Sequence, residues 1–217
     1  MIPKKANIFW FGGKQMPPKE SYCLEQNKKV LNHYQFKIWD EKDFNSLVAN
    51  RPTLDKFVDY ALSNKIYAQL SDLAKLLVLE KEGGWCFDTD NEFVRAPDEY
   101  LKHGWVSGFE NFFGRFMPIT AVMAAQPNHK FTQLLISAYE QLDPKQICHI
   151  PNTEWISNML FANNIFNNNT YQYHEGFDLT LYPSNVFCAT KTDVNPVAFH
   201  HFSGLWIPNN EEVKRKF

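Results

Sequence analysis

Two carboxylates separated by one residue, Asp88 and Asp90, are the side chains of this sequence best suited to chemistry. They follow an apolar run over residues 85–87 that is typical of a short buried strand. Residues i and i+2 of an extended strand point to the same side, so both carboxylates can converge on one cation while Thr89 faces away. Mg²⁺ and Mn²⁺ prefer such oxygen ligands and keep open positions for phosphates. The pattern therefore indicates a metal site that can hold a diphosphate.

The segment before the acidic pair carries the strongest helix signal. Apolar residues recur at helical spacing through Tyr67–Glu82, and Gly83-Gly84 then provides the residue type that tolerates a left-handed helix cap. A helix, a glycine pair and a buried strand are typical of an open α/β sheet, which binds ligands at the carboxyl ends of its strands. The sequence thus predicts that Asp88 and Asp90 lie at the ligand-binding edge.

The rest of the chain alternates between strand and helix patterns, which predicts an α/β fold with a mixed sheet flanked by helices. Predicted strands cover Ala6–Phe11, Tyr34–Trp39, Trp105–Phe109, Ile119–Ala125, Phe177–Tyr182 and Val197–Phe202, and Asn91–Val94 is predicted as a strand or a turn. Predicted helices cover Lys19–Leu31, a segment from Glu41, Thr53–Asn64, His129–Leu142 and Glu154–Ala162. An Asn-rich polar loop is predicted over Asn163–Thr170.

Composition limits the classes of function. The chain has 217 residues, 44% of them hydrophobic, which suits one globular domain. A net charge of -2 offers no electrostatic case for binding nucleic acid. No apolar stretch is long enough for a signal peptide or a membrane span, so we expect a cytoplasmic protein. The basic tail at residues 214–216 could support only weak peripheral membrane association, at the inner face of the cytoplasmic membrane.

Three segments follow one another along the chain: IPKKANIFWFGG near its start, SDLAKLLVLEKEGGWCFDTD in its centre and HHFSGLW at residues 200–206. Together they resemble the DXD-containing glycosyltransferases of family 32, which are related to the catalytic domains of clostridial glucosylating toxins. The opening IPKKANIFWFGG resembles the first strand of that family, and HHFSGLW at residues 200–206 resembles its closing motif. The central string SDLAKLLVLEKEGGWCFDTD matches at Ser71, Asp72, Gly83, Gly84, Asp88 and Asp90.

The resemblance implies a single GT-A domain over residues 1–217, with a nucleotide-binding part at about 1–110 and an acceptor part with a C-terminal flap at about 111–217. It implies a retaining transfer of a hexose or N-acetylhexosamine from a UDP-sugar, with Mn²⁺ or Mg²⁺, to a glycan or glycolipid acceptor. A role in bacterial surface polysaccharide synthesis, capsule or lipooligosaccharide, is the corresponding expectation. GDP-mannose stays open as a donor.

The resemblance also implies roles for individual residues. Trp10 is expected to stack on uracil, although a core position is the alternative for any tryptophan. Asp72 and Lys75 are expected to contact the donor sugar and are grouped with Asp88 and Asp90 as catalytic. The remaining nucleotide-sugar contacts are expected at Phe9, Gly12, Asp88, Thr89, Gly204 and Trp206.

His200 is expected to join Asp88 and Asp90 as a metal ligand, and Trp206 to close over the diphosphate. Two positions depart from the family pattern. Lys75 replaces an arginine, which loses a planar fork of donors, and Leu205 replaces a serine. Glu110 and Asn111, which follow a predicted strand, either face the anomeric carbon or the acceptor, or lie in a solvated loop.

Two other classes of protein compete with the transferase. A non-catalytic, metal-dependent carbohydrate-binding protein would use the aspartates to hold sugar hydroxyls, without needing Trp10 or the C-terminal motif. A phosphatase of the haloacid-dehalogenase type also has Asp-x-Asp, but places it after the first strand. Here the pair follows two strands and several helices, which disfavours the phosphatase.

Overall fold

A computed structural model describes residues 1–11, 13–112, 114–148 and 150–205, with the side chain of residue 112 excepted. Gly12, Trp206 and the basic tail at residues 214–216 therefore lie outside the described residues. The strands are β1 (Lys5–Phe9), β2 (Gln35–Trp39), β3 (Gly84–Phe87), β4 (Asn91–Phe93), β5 (Trp105–Phe112), β6 (Arg115–Pro118), β7 (Val122–Ala125), β8 (Gln172–His174), β9 (Leu179–Tyr182) and β10 (Ala198–His200). The α-helices are α1 (Pro18–Val30), α2 (Glu41–Val48), α3 (Asp55–Ser63), α4 (Tyr67–Glu82), α5 (Lys130–Gln141), α6 (Pro144–Ile147), α7 (Asn152–Phe161) and α8 (Ser184–Phe187).

One mixed sheet organises the molecule. Its strands run in the order β2-β1-β3-β7-β5-β9-β8, and β6 pairs with β5 as a hairpin. β1 is parallel to β2 and β3, whereas β7 is antiparallel to both β3 and β5. β3 and β5 consequently run in the same direction, and their carboxyl ends lie at one edge of the sheet. A separate ribbon of β4 and β10 pairs antiparallel beside that edge.

The two faces of the sheet support two cores. Alternate residues of β3 divide between them, with Cys86 in the core formed with α4 and α5, and Trp85 and Phe87 in the core on the opposite face. The second core also contains Phe187 of α8 and Ala198 of β10. The sheet therefore lies between a layer of helices and a layer built from α1, α8 and the ribbon.

The glycine pair between α4 and β3 ends the helix as predicted. Gly83 has φ 64° and its N–H donates to Leu79 O at 3.0 Å. A Cβ at this position would lie 2.7 Å from Ala125 O, so both the backbone conformation and the space demand glycine. This tight turn determines where β3 enters the sheet, and therefore where Asp88 and Asp90 follow it.

The α/β prediction with a DXD motif at a strand end is confirmed, and the departures are local. The strand predicted over Ile119–Ala125 begins only at Val122, because 115–118 forms an unpredicted hairpin strand with β5. The last predicted strand shortens to Ala198–His200 and pairs with β4 outside the main sheet. Among the described residues no helix is both long and apolar enough to cross a bilayer.

Candidate active site

The acidic pair lies in a tight turn immediately after β3. The Asp88 N–H donates to Ala121 O at 2.8 Å, and the Asn91 N–H closes the turn by donating to Asp88 O at 3.1 Å. Asn91 is fully buried, and its side chain donates to the same Ala121 oxygen at 2.8 Å. The prediction that strand alternation brings the carboxylates together was wrong in its geometry, because the backbone has left the strand at Asp88. The turn itself makes them converge.

The ribbon brings a histidine to Asp90 from the other side. β10 pairs with β4 so that His200 lies opposite Asn91, and His200 Nε2 lies 3.5 Å from Asp90 Oδ1. The Ser203 N–H donates to Asp90 Oδ2 at 2.7 Å. Burial on its own would raise the pKa of Asp90, but His200 and the Ser203 amide outweigh it and hold that pKa below its usual value. Asp90 is thus an ionised, firmly oriented carboxylate.

The neighbouring histidine has a different partner. His201 Nε2 lies 2.8 Å from Glu92 Oε2, while its backbone N–H donates to Asp90 O at 3.1 Å. Adjacent residues in an extended segment point to opposite sides, which separates the two imidazoles. Of this pair, His200 is the one that reaches the acidic turn.

Asp88, Asp90 and His200 form a set suited to a divalent cation. One ligand atom from each lies within 4.8 Å of the others. An octahedral ion with bonds of about 2.1 Å holds its ligands about 3–4 Å apart, so small side-chain rotations would complete the set. Two carboxylates and one imidazole suit Mn²⁺ better than Mg²⁺, which favours oxygen ligands throughout. The predicted ligand set therefore fits a metal by chemistry and by distance.

Lys75 of α4 is a buried ammonium that lies between two carboxylates. Its Nζ lies 2.8 Å from Asp72 Oδ1 and 2.6 Å from Asp88 Oδ1, and it donates to Thr120 O at 3.2 Å. Burial alone would lower the pKa of Lys75, but the two carboxylates outweigh it and raise that pKa. An ammonium has three N–H donors, and all three have partners here. Lys75 in this arrangement orients Asp72 and Asp88 and has no donor left for a sugar.

Burial disfavours the ionised form of Asp72 despite its ion pair with Lys75. Burial raises the pKa of its carboxyl, and Lys75 offsets only part of that rise. Asn152 at the start of α7 hydrogen-bonds to Asp72 and also accepts from Thr120 Oγ1 at 2.9 Å. Thr120 and Asn152 are not predicted from the sequence, where the available signal is the single hydroxyl of Thr120 within the apolar run 119–125.

The predicted nucleotide contacts divide into exposed and buried side chains. Trp10 is partly exposed, follows β1, and donates from its indole N–H to Lys14 O at 2.7 Å. Phe9 is 5% exposed and stacks on Trp39 in the core, so its ring is not available to a ligand. Thr89 lies partly exposed in the acidic turn. Gly204, with φ 61°, is the last glycine described before the flap predicted around Trp206.

Solved structures identify the class of fold. The PaToxG glycosyltransferase superposes with a TM-score of 0.56 at 20% identity, covering 74% of this chain and 68% of that one. A glycosyltransferase involved in the glycosylation of the major capsid of PBCV-1 superposes with a TM-score of 0.51 at 8% identity, covering 90% and 93%. These similarities, with the mixed sheet and its DXD turn, confirm the GT-A type fold.

The sequence comparisons narrow the class. Residues 14–105 match the family described as "Glycosyltransferase sugar-binding region containing DXD motif". An uncharacterized glycosyltransferase of Acanthamoeba polyphaga mimivirus is 24% identical over 133 residues, which are 59% of this chain and 52% of that protein. The chain thus spans about half the length of this curated relative. The predicted resemblance to the DXD glycosyltransferases is confirmed, and placement within family 32 stays a prediction.

Proposed function

We propose that this chain is a metal-dependent, retaining glycosyltransferase that moves a hexose or N-acetylhexosamine from a UDP-sugar to a glycan or glycolipid acceptor. The observation that carries the proposal is the convergence of Asp88, Asp90 and His200 at the carboxyl-end edge of the sheet. The DXD family match covers both aspartates. Retention, the UDP-sugar and a role in bacterial surface polysaccharide synthesis are the finer parts of the proposal, and the family resemblance supports them.

The side chains of the site divide the work. Asp88, Asp90 and His200 would hold Mn²⁺, which supplies a Lewis acid for the departing diphosphate. Lys75 keeps Asp88 and Asp72 in place, and Asp72 accepts hydrogen bonds from donor-sugar hydroxyls. Trp10, at the end of β1 on the same edge, offers a partly exposed ring for the uracil. Carboxylates fixed before the substrate arrives lower the reorganisation that the reaction requires.

Calorimetric titration of UDP into the protein tests this function. With Mn²⁺ present we expect saturable binding, and with EDTA we expect that binding to be lost, because the diphosphate is held through the metal. Binding should then be followed by release of UDP from UDP-sugars. Absence of binding by both UDP and GDP, with binding of free sugar, would instead support a non-catalytic carbohydrate-binding protein.

A further inference from the structure

Glu110 occupies a place in the fold that the sequence left ambiguous. It lies within β5, which extends to Phe112, and it pairs across the hairpin with Met117. It is therefore a strand residue rather than part of a solvated loop. Its side chain is partly exposed, so one side of it is open to solvent.

Strand alternation gives the direction of the Glu110 side chain. Val106 belongs to the core that contains Phe187 of α8, and a Cβ at Gly108 would lie 3.3 Å from the Phe187 ring. Residues at even positions of β5 share that face, so Glu110 points toward the layer of α8 and the β4–β10 ribbon. His200 lies in this ribbon.

The direction of β5 shows at which edge of the sheet Glu110 lies. β3 and β5 are both antiparallel to β7, so the end of β5 reaches the same edge as the acidic turn that follows β3. The charged groups that act on Glu110 are Asp88, Asp90 and His200, and the Cys188 thiol is a further neighbour. Glu110 thus adds a carboxylate to the sheet edge that holds Asp88, Asp90 and His200, without being one of those three convergent ligands.

Glu110 differs from the other acids of this edge in having no partner among the residues that the structure describes. Asp88 pairs with Lys75 and Asp90 with His200, yet within the described part of the chain no hydrogen bond or ion pair reaches the Glu110 carboxylate. Burial raises the pKa of Glu110 to about 7, with Asp88 and Asp90 adding to the rise against His200. A partly exposed carboxyl without a partner, beside a convergent ligand set, is placed to accept a hydrogen bond from a bound molecule.

We propose that Glu110 is a catalytic residue that binds the attacking hydroxyl of the acceptor and takes up its proton, an inference that rests on the glycosyl transfer proposed above. The acceptor oxygen forms a bond to the anomeric carbon. The bond from that carbon to the diphosphate breaks, and its electron pair leaves with the diphosphate. The proton of the acceptor hydroxyl passes to Glu110 and then to solvent. Glu110 lies at the edge of the sheet where Asp88, Asp90 and His200 converge, so an acceptor bound for the proposed transfer would come close to its carboxyl.

Water serves as the acceptor in the test, so no glycan has to be identified. Release of UDP from UDP-glucose and UDP-N-acetylglucosamine is measured with Mn²⁺ for the wild type, Glu110→Gln and the control Glu99→Gln. Glu99 pairs with Arg95 on the surface and belongs neither to the acidic turn nor to the convergent ligand set. Loss of a general base lowers kcat by about 100-fold or more. We expect that loss for Glu110→Gln alone, with the Kd of UDP·Mn²⁺ unchanged.

Thermal unfolding separates chemistry from structure. Glutamine has the shape of glutamate without its charge, so Glu110→Gln should keep or raise Tm, whereas a structural carboxylate would lose stability on replacement. An unchanged kcat, a lower Tm or a weaker UDP·Mn²⁺ complex in Glu110→Gln would each overturn the inference. A wild-type protein that fails to bind UDP with Mn²⁺ would instead overturn the proposed function. A wild type that binds UDP but hydrolyses neither these two donors nor UDP-galactose and UDP-N-acetylgalactosamine would overturn both.

Discussion

Two charged clusters lie at opposite edges of the same parallel strands. At the carboxyl ends, the Lys75 side chain is only 1% exposed and that of Asp72 17%, although the other partner of Lys75, Asp88, is 35% exposed. At the amino ends, Asp98 accepts from Lys4 and His33 at 2.9 Å and from the Tyr34 hydroxyl at 3.0 Å, with 42% of its side chain exposed. The first cluster contains a convergent ligand set and an acid without a partner in the described part of the chain, whereas Asp98 of the second has three partners.

The carboxyl-end cluster is arranged for function, whereas the amino-end cluster contributes only to local stability. A carboxylate in water with three donors gains little from any single one, because solvent competes for it. A buried charge depends almost entirely on its partners, and it can be aimed at a ligand before that ligand arrives. The carboxyl-end cluster should therefore respond strongly to single substitutions in both stability and activity, and the amino-end cluster weakly in stability alone.

The largest expected effect comes from Lys75→Met. The substitution keeps the length of the side chain but leaves Asp72 and Asp88 without their shared cation, which costs about 3–5 kcal/mol of unfolding free energy. Urea unfolding measures the loss. Lys4→Met at the amino-end cluster is the matched control, with a loss below about 1 kcal/mol. Equal losses at the two lysines would remove the contrast between the clusters.

Lys75→Arg sharpens the same point, since it keeps the charge and restores the residue type implied by the family resemblance. We expect a much smaller loss of stability than for methionine, together with a changed rate or donor preference through the shifted Asp72 and Asp88. Kinetic parameters identical to those of the wild type would show that Lys75 does not control the donor pocket.

Asp90→Asn is next. The amide can still accept from Ser203 but is a poor metal ligand, so we expect kcat/KM for Mn²⁺-dependent UDP release to fall at least about 100-fold, or about 2.7 kcal/mol in the barrier. Circular dichroism should show the fold retained. Asp98→Asn makes the same chemical change at the opposite edge and should leave kcat/KM unaltered. Full activity in Asp90→Asn would contradict the metal assignment.

The sequence predicted the carboxyl-end cluster better than the rest because its signals are local. Apolar periodicity ending in Gly83-Gly84 positions Asp88 and Asp90 without knowledge of the tertiary structure. Their actual geometry depends on a turn closed by the bond from the Asn91 N–H to Asp88 O, whereas the sequence pattern predicts that Asp88 and Asp90 continue the strand. The isolation of Glu110 and the Thr120–Asn152 contact arise from packing between distant segments, so no local pattern reports them.

Trp10→Ala tests whether Trp10, at the carboxyl-end edge of the sheet, contacts the nucleotide. Loss of a stacking platform should weaken UDP binding by about 1–3 kcal/mol, measured by calorimetry with Mn²⁺ present. Tyr34→Phe is the aromatic control at the amino ends, where the ring is retained and only the hydroxyl contact with Asp98 is lost. An unaltered UDP affinity in Trp10→Ala would make its partial exposure incidental.

We expect the smallest change in unfolding free energy for Asp98→Asn. Its dependence on pH distinguishes this change from experimental error. Burial alone would raise the pKa of Asp98, but its bonds to Lys4, His33 and Tyr34 outweigh it and lower that pKa. A lowered carboxyl pKa gives stability that is present above the unfolded value of about 3.9 and is lost as pH falls through the folded value. The unfolding free energy of wild type should thus exceed that of Asp98→Asn by less than about 1 kcal/mol at neutral pH and by nothing in strong acid. A neutral-pH difference as large as that of Lys75→Met would mean that solvent exposure does not set the energetic rank of the two clusters.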